Sequence, residues 1–422
     1  MSWISKTVGA VVFLMVHNLA VSQDTLKVNL RDSEKIFVEK NLLLLASQYN
    51  VGVQKALIIQ AKLWDNPRFS TEINLYNPEG KKAFDAGKNG EKTFALEQVL
   101  YIGGKKKFEV DLAKQNAGRA ELELQDLLRN LRLQLRRNFY TIVFNNMTLD
   151  KYTKQLQLLS EIIGAYDEQG EKGNISMKEV LRLKAVYYQL NNDKTELLNS
   201  TIDAQTILQT LLGTNQAIVP FLDSMQVANY KLPVTPVDEF INQAMQNRPD
   251  YKIAQSIAQS AETNLKWQRR QAVPDLTLGG AYDQRGGAFQ NQVGLTLGID
   301  LPVWNRNQGN IKYAKEVIKA TQTIQQNKTI ELTNEVQNAL AKLKRVEQEF
   351  QTVDKTYSSD YTKLNDGVIE NFQKRNISLL EFVDFFESYN ESIDALNKLR
   401  KARIDAYEEL NAAVGTELFN NN

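Results

Sequence analysis

The chain has 422 residues, a formal net charge of +1 and no cysteine. That length suits two or three ordinary domains or one elongated body, and the balanced charge gives no electrostatic case for nucleic acid or an acidic partner. The missing thiols exclude disulfides, thiolate metal sites, a cysteine nucleophile and a lipidated N-terminal cysteine.

The first segment reads as an export signal over residues 1–22. Lys6 supplies positive charge, Val8 to Val16 is an apolar run, and Ala20-Val21-Ser22 offers a small-residue cleavage site. The only histidine, His17, lies inside it. No later stretch reads as apolar enough for a transmembrane helix. Asp32-Ser33 is expected to cap a short helix, and Leu42 to Trp64 forms a second one that Pro67 stops. Arg68 to Tyr76 then alternates, with Phe69, Thr71, Ile73 and Leu75 on one face. After a charged loop, Thr93 to Tyr101 returns with Phe94, Leu96 and Leu100 on one face and Gln98 breaking the pattern. Gly103-Gly104 closes this hairpin, and Lys105 opens a very long helix.

Leu128, Leu135, Ile142, Leu149, Leu156 and Ile163 stand seven apart, an apolar column of the coiled-coil kind. A break at Gly170 to Asn174 leads into a partner helix from about Ser176 to Leu212. Pro220, Pro233 and Pro236 dot a linker, and the pattern then recurs. Asn247-Arg248-Pro249-Asp250 opens a helix that Pro274 ends. Asp275 to Asp283 and Gln292 to Leu301 make a second hairpin around Arg285-Gly286-Gly287. Val336, Leu343, Phe350, Tyr357 and Leu364 continue at sevenfold spacing. Asn174-Ile175-Ser176 recurs as Asn376-Ile377-Ser378 and Gly213 as Gly415, at an offset of 202, while Pro67 and Pro274 are 207 apart. These offsets describe a tandem duplication. The first repeat spans 23–213, with a β-hairpin at about 67–102 and a helical hairpin at about 105–213. A linker occupies 214–236. The second repeat spans 237–415, with a β-hairpin at about 274–303 and a helical hairpin at about 308–415, before a tail at 416–422.

The fold class is mainly α with a small β part. Val293 to Leu301 is the clearest strand, apolar at every odd position and Gly, Thr or Asp at every even one. Four such strands cannot close a membrane barrel, which needs about eight, and lipid does not tolerate an open edge. Either the strands form a soluble sheet or several chains share one barrel. The alternation, the export signal and the lack of Cys and mature His favour the shared barrel. Phe69, Ile73, Leu75, Phe94, Leu96, Val293, Leu295, Leu297 and Ile299 would then face lipid. Tyr76, Tyr101, Tyr282 and Trp304 near the strand ends suit either an aromatic girdle or ordinary packing.

This order of elements resembles the TolC family of outer-membrane efflux ducts across essentially the whole mature chain. Leu301-Pro302-Val303-Trp304-Asn305-Arg306-Asn307-Gln308-Gly309-Asn310-Ile311 is similar to the barrel-exit motif of the CzcC- and CusC-like branch. Gln98-Val99-Leu100-Tyr101-Ile102-Gly103-Gly104-Lys105 is similar to the family's Gly-Gly exit. The resemblance implies a homotrimer with a shared 12-stranded barrel in outer-membrane lipid and a periplasmic tunnel of twelve long helices. Its implied partners are a periplasmic adaptor (membrane fusion) protein and, through the adaptor, an inner-membrane RND-type pump. It implies neither cofactor nor nucleic acid. The cargo would be metal cations, drugs or a polypeptide.

Ser176-Met177-Lys178-Glu179 and Ser378-Leu379-Leu380-Glu381 read as capping boxes. The resemblance implies that Gly173, Asn174, Ile175, Ser176 and Glu179, with Arg375, Asn376, Ile377 and Ser378, form adaptor-docking tips. A cap can also shape a docking surface. Glu381 and Asp384 share a helical face, and the resemblance implies that a threefold ring of them gates the periplasmic end. Two solvated acids on a charged face are the plainer alternative. No Ser-His-Asp set is possible without a mature histidine, and Gly103-Gly104 lacks the Lys-Ser/Thr of a phosphate loop. The reading is a passive, non-enzymatic export duct. A secreted coiled-coil scaffold is the alternative, and it gives no reason for two alternating hairpins.

Overall fold

The structure is a computed structural model that describes residues 25–88, 90–222, 230–286, 289–356 and 360–419. The expected export signal, part of the linker, Gly287 and Tyr357 lie outside these residues.

The chain begins with β1 (Thr25–Val28), α1 (Leu30–Lys40) and α2 (Leu42–Lys62). Asn29 caps α1, its side chain accepting from the Asp32 N–H at 2.8 Å, so the cap sits three residues before the expected Asp32. Helix α2 ends at Lys62, five residues ahead of Pro67. It is also long and apolar enough to cross a membrane by length and composition, against the expectation that no such stretch follows the signal. Its packing along the next long helix and the Lys55–Glu121 ion pair at 2.7 Å make it part of the helical body.

Strands β2 (Arg68–Ile73) and β5 (Glu91–Leu100) form the first hairpin. Between them a small two-stranded turn, β3 (Tyr76–Asn77) against β4 (Lys82–Ala83), was not legible in the charged loop. Leu75 consequently lies beyond the end of β2, not within it. Gln98, the break in the alternation, donates to the Asp65 carbonyl at 3.0 Å and so ties the strand to the preceding loop.

Helix α3 (Lys105–Glu171) follows Gly104, whose φ of 77° turns the strand directly into the helix. Its 67 residues span about 100 Å at 1.5 Å per residue. Such length is stable because one stripe is buried. Leu135 and Ile142 are fully enclosed and Leu149 and Leu156 nearly so. Helix α4 (Met177–Leu212) returns antiparallel to it and ends on Gly213. Strand β6 (Ala217–Pro220) occupies the expected linker and pairs in parallel with β1.

Helices α5 (Val237–Asn247) and α6 (Pro249–Gln271), strands β7 (Leu276–Arg285) and β8 (Phe289–Ile299), and α7 (Gln308–Thr356), α8 (Asp360–Gln373) and α9 (Leu379–Val414) complete the chain. The second column holds at Val336 and Leu343, both fully buried, but Leu364 is 52% exposed while its neighbour Asn365 is buried. The stripe on α8 is therefore out of phase with that on α7.

Two single-residue joints organise the helical body. Asn41 separates α1 from α2 and Arg248 separates α5 from α6. Asn41 Nδ2 donates to the Leu211 carbonyl at 3.0 Å, and Arg248 Nη1 to the Ala413 carbonyl at 3.3 Å. Each joint thereby satisfies an orphan carbonyl at the end of a long helix. Gly213 and Gly415 close those helices at φ 60° and 76°, and a Cβ there would lie 2.8 Å from the Lys40 carbonyl and 2.9 Å from Arg248 Cγ. Close approach as well as backbone handedness demands glycine.

Buried charges surround the joints. Arg136, 3% exposed, meets Glu34 at 2.5 Å, Glu408 at 2.6 Å and Glu417 at 2.8 Å. Burial works against its charge, but the carboxylates of Glu408 and Glu34 outweigh burial and hold the guanidinium protonated well above its ordinary range. Arg248 clasps Asp250 at 2.6 Å and also pairs with Glu335. Burial raises the Asp250 pKa, but the hydrogen bond and charge of Arg248 prevail and hold it well below the usual carboxylate range. A depressed carboxylate contributes stability above its unfolded pKa of about 3.9, and that stability fades as pH falls through the folded value. Asp250→Asn is therefore expected to lower stability at neutral pH and to flatten its dependence on acid below about pH 4. Unfolding midpoints followed by circular dichroism at several pH values measure this.

Candidate functional site

The four long strands form one antiparallel sheet in the order β2-β5-β7-β8. Its register decides which side chains share a face. Phe69 lies opposite Leu96, Phe94 opposite Tyr282, Tyr282 opposite Val293, and Leu276 opposite Ile299. Phe69, Ile73, Phe94, Leu96, Val293, Leu295, Leu297 and Ile299 are therefore brought onto a single continuous face, joined by Leu276 and Leu278. The opposite face carries Ser70, Glu72, Thr93, Ala95, Gly279, Asp283, Gly294 and Thr296. A Cβ at Gly279 would lie 2.5 Å from Thr296 Oγ1, so the second hairpin needs a bare backbone on that face.

The greasy face is uncovered. Val293 is 79% exposed and Leu295 85%. Burying one such aliphatic side chain is worth about 1.5–3 kcal/mol. Eight together would cost on the order of 10 kcal/mol in water, comparable with the whole stability of a typical domain. An apolar environment on that face is thus an energetic requirement. Aromatic side chains flank it. Trp64 and Tyr101 pack at 5.9 Å near the helical end, with the Tyr101 hydroxyl donating to Asp65 at 2.5 Å, and Trp304 is 90% exposed. Toward the far end, Tyr282 packs on Phe94 at 6.2 Å and donates to Asn291 Oδ1 at 2.7 Å.

At the other end of the long helices the two hairpin turns have matching hydrogen bonds. Asn174 N–H donates to the Gln169 carbonyl at 2.9 Å and its Nδ2 to Gln169 Oε1 at 2.8 Å. Asn376 does the same to Asn371 at 2.8 and 3.0 Å. Both serines cap as expected. The Glu179 N–H donates to Ser176 Oγ and the Glu381 N–H to Ser378 Oγ, each at 3.3 Å, while each glutamate accepts from its serine's N–H. The tips lie side by side, because Tyr166 stacks on Phe372 at 6.1 Å and Phe372 on Phe382 at 4.1 Å. Gly173, Asn174, Ser176, Arg375, Asn376 and Ser378 are exposed, whereas Ile175, Ile377 and Glu179 are half-buried.

Glu381 and Asp384 are both exposed on α9. The Glu381 carboxylate accepts from the Ser378 N–H at 2.7 Å and hydroxyl at 2.8 Å, and these bonds depress its pKa. Asp384 has no ion pair among the described residues. The capping role therefore occupies Glu381 and leaves Asp384 free on the same face.

The tips differ in one respect. Gly173 has φ 75°, and its counterpart Arg375 holds φ 60° with a side chain that disfavours it. The two joints and the Arg136 cluster were missed from sequence. The recurrence of a polar residue at positions 41 and 248, 207 apart like the two prolines, was the available signal for the joints.

Residues 240–416 match the family model described as outer membrane efflux protein. That match covers somewhat less than half of the chain and lies in its second half. The chain is 21% identical over 255 residues to the cobalt-zinc-cadmium resistance protein CzcC of Cupriavidus metallidurans, an alignment covering 60% of this chain and 58% of CzcC. It is 19% identical over 282 residues to the nickel and cobalt resistance protein CnrC of the same organism, covering 66% of this chain and 65% of CnrC. The chain thus spans somewhat less than two thirds of each of these proteins. Crystal structures of CusC superpose with a TM-score of 0.74 over 92% of both chains at 18% identity, which shows that the chain shares that fold.

Replacing Arg375 by Gly is expected to relieve the left-handed strain, about 1–2 kcal/mol, less the 0.5–1 kcal/mol that glycine's flexibility costs. A thermal midpoint raised by Arg375→Gly and lowered by Gly173→Arg is the expected pair of results.

Proposed function

We propose that this chain is the outer-membrane component of a three-part export system, a passive trimeric duct that carries small solutes from an inner-membrane RND-type pump and a periplasmic adaptor to the exterior. The observation that carries the reading is the open four-stranded sheet, greasy on one face and polar on the other, at one end of long helices of which α3 spans about 100 Å. Lipid on the greasy face and a water-filled pore on the polar face satisfy both. Three copies would supply twelve strands to one barrel and their helical hairpins to a tunnel through the periplasm. Matching joints, tips and sheet registers support a tandem duplication with repeats at 23–213 and 237–415.

The paired tips, with their exposed polar rims, suit docking of the adaptor. Arg375 supports this use, since a strained, exposed arginine gives nothing to stability and is free to serve recognition. Asp384 is the residue best placed for an acidic ring, with Glu381 divided between such a ring and its cap. The names of CzcC and CnrC point to divalent metal cations as cargo, and drugs remain the other class carried through ducts of this fold. No catalytic constellation enters the reading.

Two experiments test it. In the membrane fraction, an unheated sample is expected to run as a trimer that heating dissociates, and a soluble monomer would end the proposal. Leu295→Arg, on the greasy face, is expected to cost about 2–4 kcal/mol at mid-membrane and to abolish that trimer, while Thr296→Arg on the polar face leaves it intact. For the gate, Glu381→Ala with Asp384→Asn is expected to raise single-channel conductance and antibiotic leakage. Normal trimers with unchanged leakage would remove the acidic ring.

A further inference from the structure

We infer that the two open edges of the sheet pair with each other between copies of this chain, β8 of one against β2 of the next, with Ile299 opposite Ile73, Leu297 opposite Leu75 and Leu301 opposite Thr71. The inference rests on the shared-barrel reading above and adds which residues meet.

The register follows from the chain's own internal junction. The two hairpins join through β5 and β7, where Phe94 faces Tyr282, Leu96 faces Gly280 and Gln98 faces Leu278. Within the hairpins, Phe69 faces Leu96 and Leu276 faces Ile299. Phe69 and Leu276 are 207 apart, like the two prolines that precede them, so the returning residues Leu96 and Ile299 are equivalent at an offset of 203. An independent mark agrees. Gly104 and Asn307, also 203 apart, are the left-handed residues at φ 77° and 58° directly before the two long helices. Advancing the β5 side of the junction by 203 and moving the β7 side back by 207 carries Phe94–Tyr282 to Leu297–Leu75. The same shift carries Leu96–Gly280 to Ile299–Ile73, and Gln98–Leu278 to Leu301–Thr71.

Three features of the single chain fit this pairing. First, every pair keeps greasy residue opposite greasy-face residue, which a slip by one position would reverse. Second, β2 stops at Ile73 after six residues, whereas β5 and β7 run ten each and β8 runs eleven to Ile299. The sequence alternation continues past both ends to Leu75 and Leu301, which are 68% and 77% exposed. These are residues the register pairs, although Leu75 also leads into the β3–β4 turn, where its carbonyl accepts from the Phe84 N–H at 3.0 Å. Third, α2, α3, α6 and α7 pack in that order below the sheet, leaving α2 and α7 as outer members. Both carry exposed apolar side chains, Val53 and Ile59 on α2 and Ile324 and Ile330 on α7. The α3–α6 contact is the junction that α7 and the next copy's α2 would repeat. One opposing contribution is present: the register sets Asp300 against Glu72 on the polar face, where water and salt screen the repulsion.

The absence of cysteine makes the test direct. Ile73→Cys with Ile299→Cys, treated in membranes with a short bis-maleimide, is expected to give covalent dimer and trimer bands on a denaturing gel, with none from either single variant. Leu75→Cys with Leu297→Cys is expected to do the same, as a second pair should the first assemble poorly. Ile73→Cys with Leu295→Cys, about 13 Å out of register at 3.3 Å per residue, is expected to give none. Crosslinking of that control in preference to the first two pairs overturns the register. Failure of all three, with unheated samples still running as trimers, overturns the β8–β2 junction while leaving the duct. Cysteine-free protein that runs as a monomer without heating removes the duct reading itself.

Discussion

A backbone N–H or carbonyl facing hydrocarbon has no water to turn to, and each one left unpaired costs several kcal/mol. On the proposed reading, that constraint governs the strand end of this molecule. The sheet has one face that water penalises and two edges that lipid would penalise. Only a larger, closed sheet removes both penalties, and a chain with four long strands cannot make one alone. On the duct proposed above, the single chain is an unfinished object. The uncovered Val293–Ile299 face is the physical feature such an assembly would cover.

The helical body solves a different problem, that of holding helices many turns long in a fixed relation. Periodic apolar stripes supply the attraction, but stripes alone permit sliding. Specific polar contacts prevent it. Asn41 and Arg248 bond to the last carbonyls of α4 and α9, and glycine at 213 and 415 lets the backbones approach closely enough for this. Arg136 fastens α1, α9 and the residues after α9 to α3 through three carboxylates. Removing the arginine from such a cluster would leave Glu408 buried without its counter-charge, typically a loss of about 3–5 kcal/mol. The length of the helices then transmits the geometry of the sheet end to the tips.

At the tips the same turn is built twice with one deliberate-looking difference, arginine in place of glycine. The capping boxes explain Ser176, Glu179, Ser378 and Glu381 by local chemistry, and the hydrogen bonds of Glu381 draw its carboxylate away from any crowding effect that would raise its pKa. Asp384 has no such local task. Distinguishing residues that a helix end requires from those it does not is what narrows the choice of candidates there.

Much of this was legible in the sequence, because the governing signals are local or periodic. Alternation identified the four long strands, sevenfold spacing the buried stripes at Leu135, Ile142, Val336 and Leu343, and Ser-x-x-Glu both caps. The recurrence of Pro67 at Pro274 and of Asn174-Ile175-Ser176 at Asn376-Ile377-Ser378, at offsets of 207 and 202, is likewise read from the sequence alone. What the sequence could not reveal depends on residues distant along the chain. The pairing of β1 with β6, the bond from Asn41 to Leu211 and the convergence of Glu34, Glu408 and Glu417 on Arg136 each join segments more than a hundred residues apart. Leu364 shows the limit of periodicity, since the spacing continues while the helix face it marks has turned away from the core. The amino-acid sequence by itself determined which side of each long strand is greasy and where the helices capped by Ser176 and Ser378 begin, through side-chain chemistry and backbone preference. Only the tertiary structure decided that the greasy sides merge into one open sheet and that the two tips stand together, because strand register and packing are properties of the assembled chain.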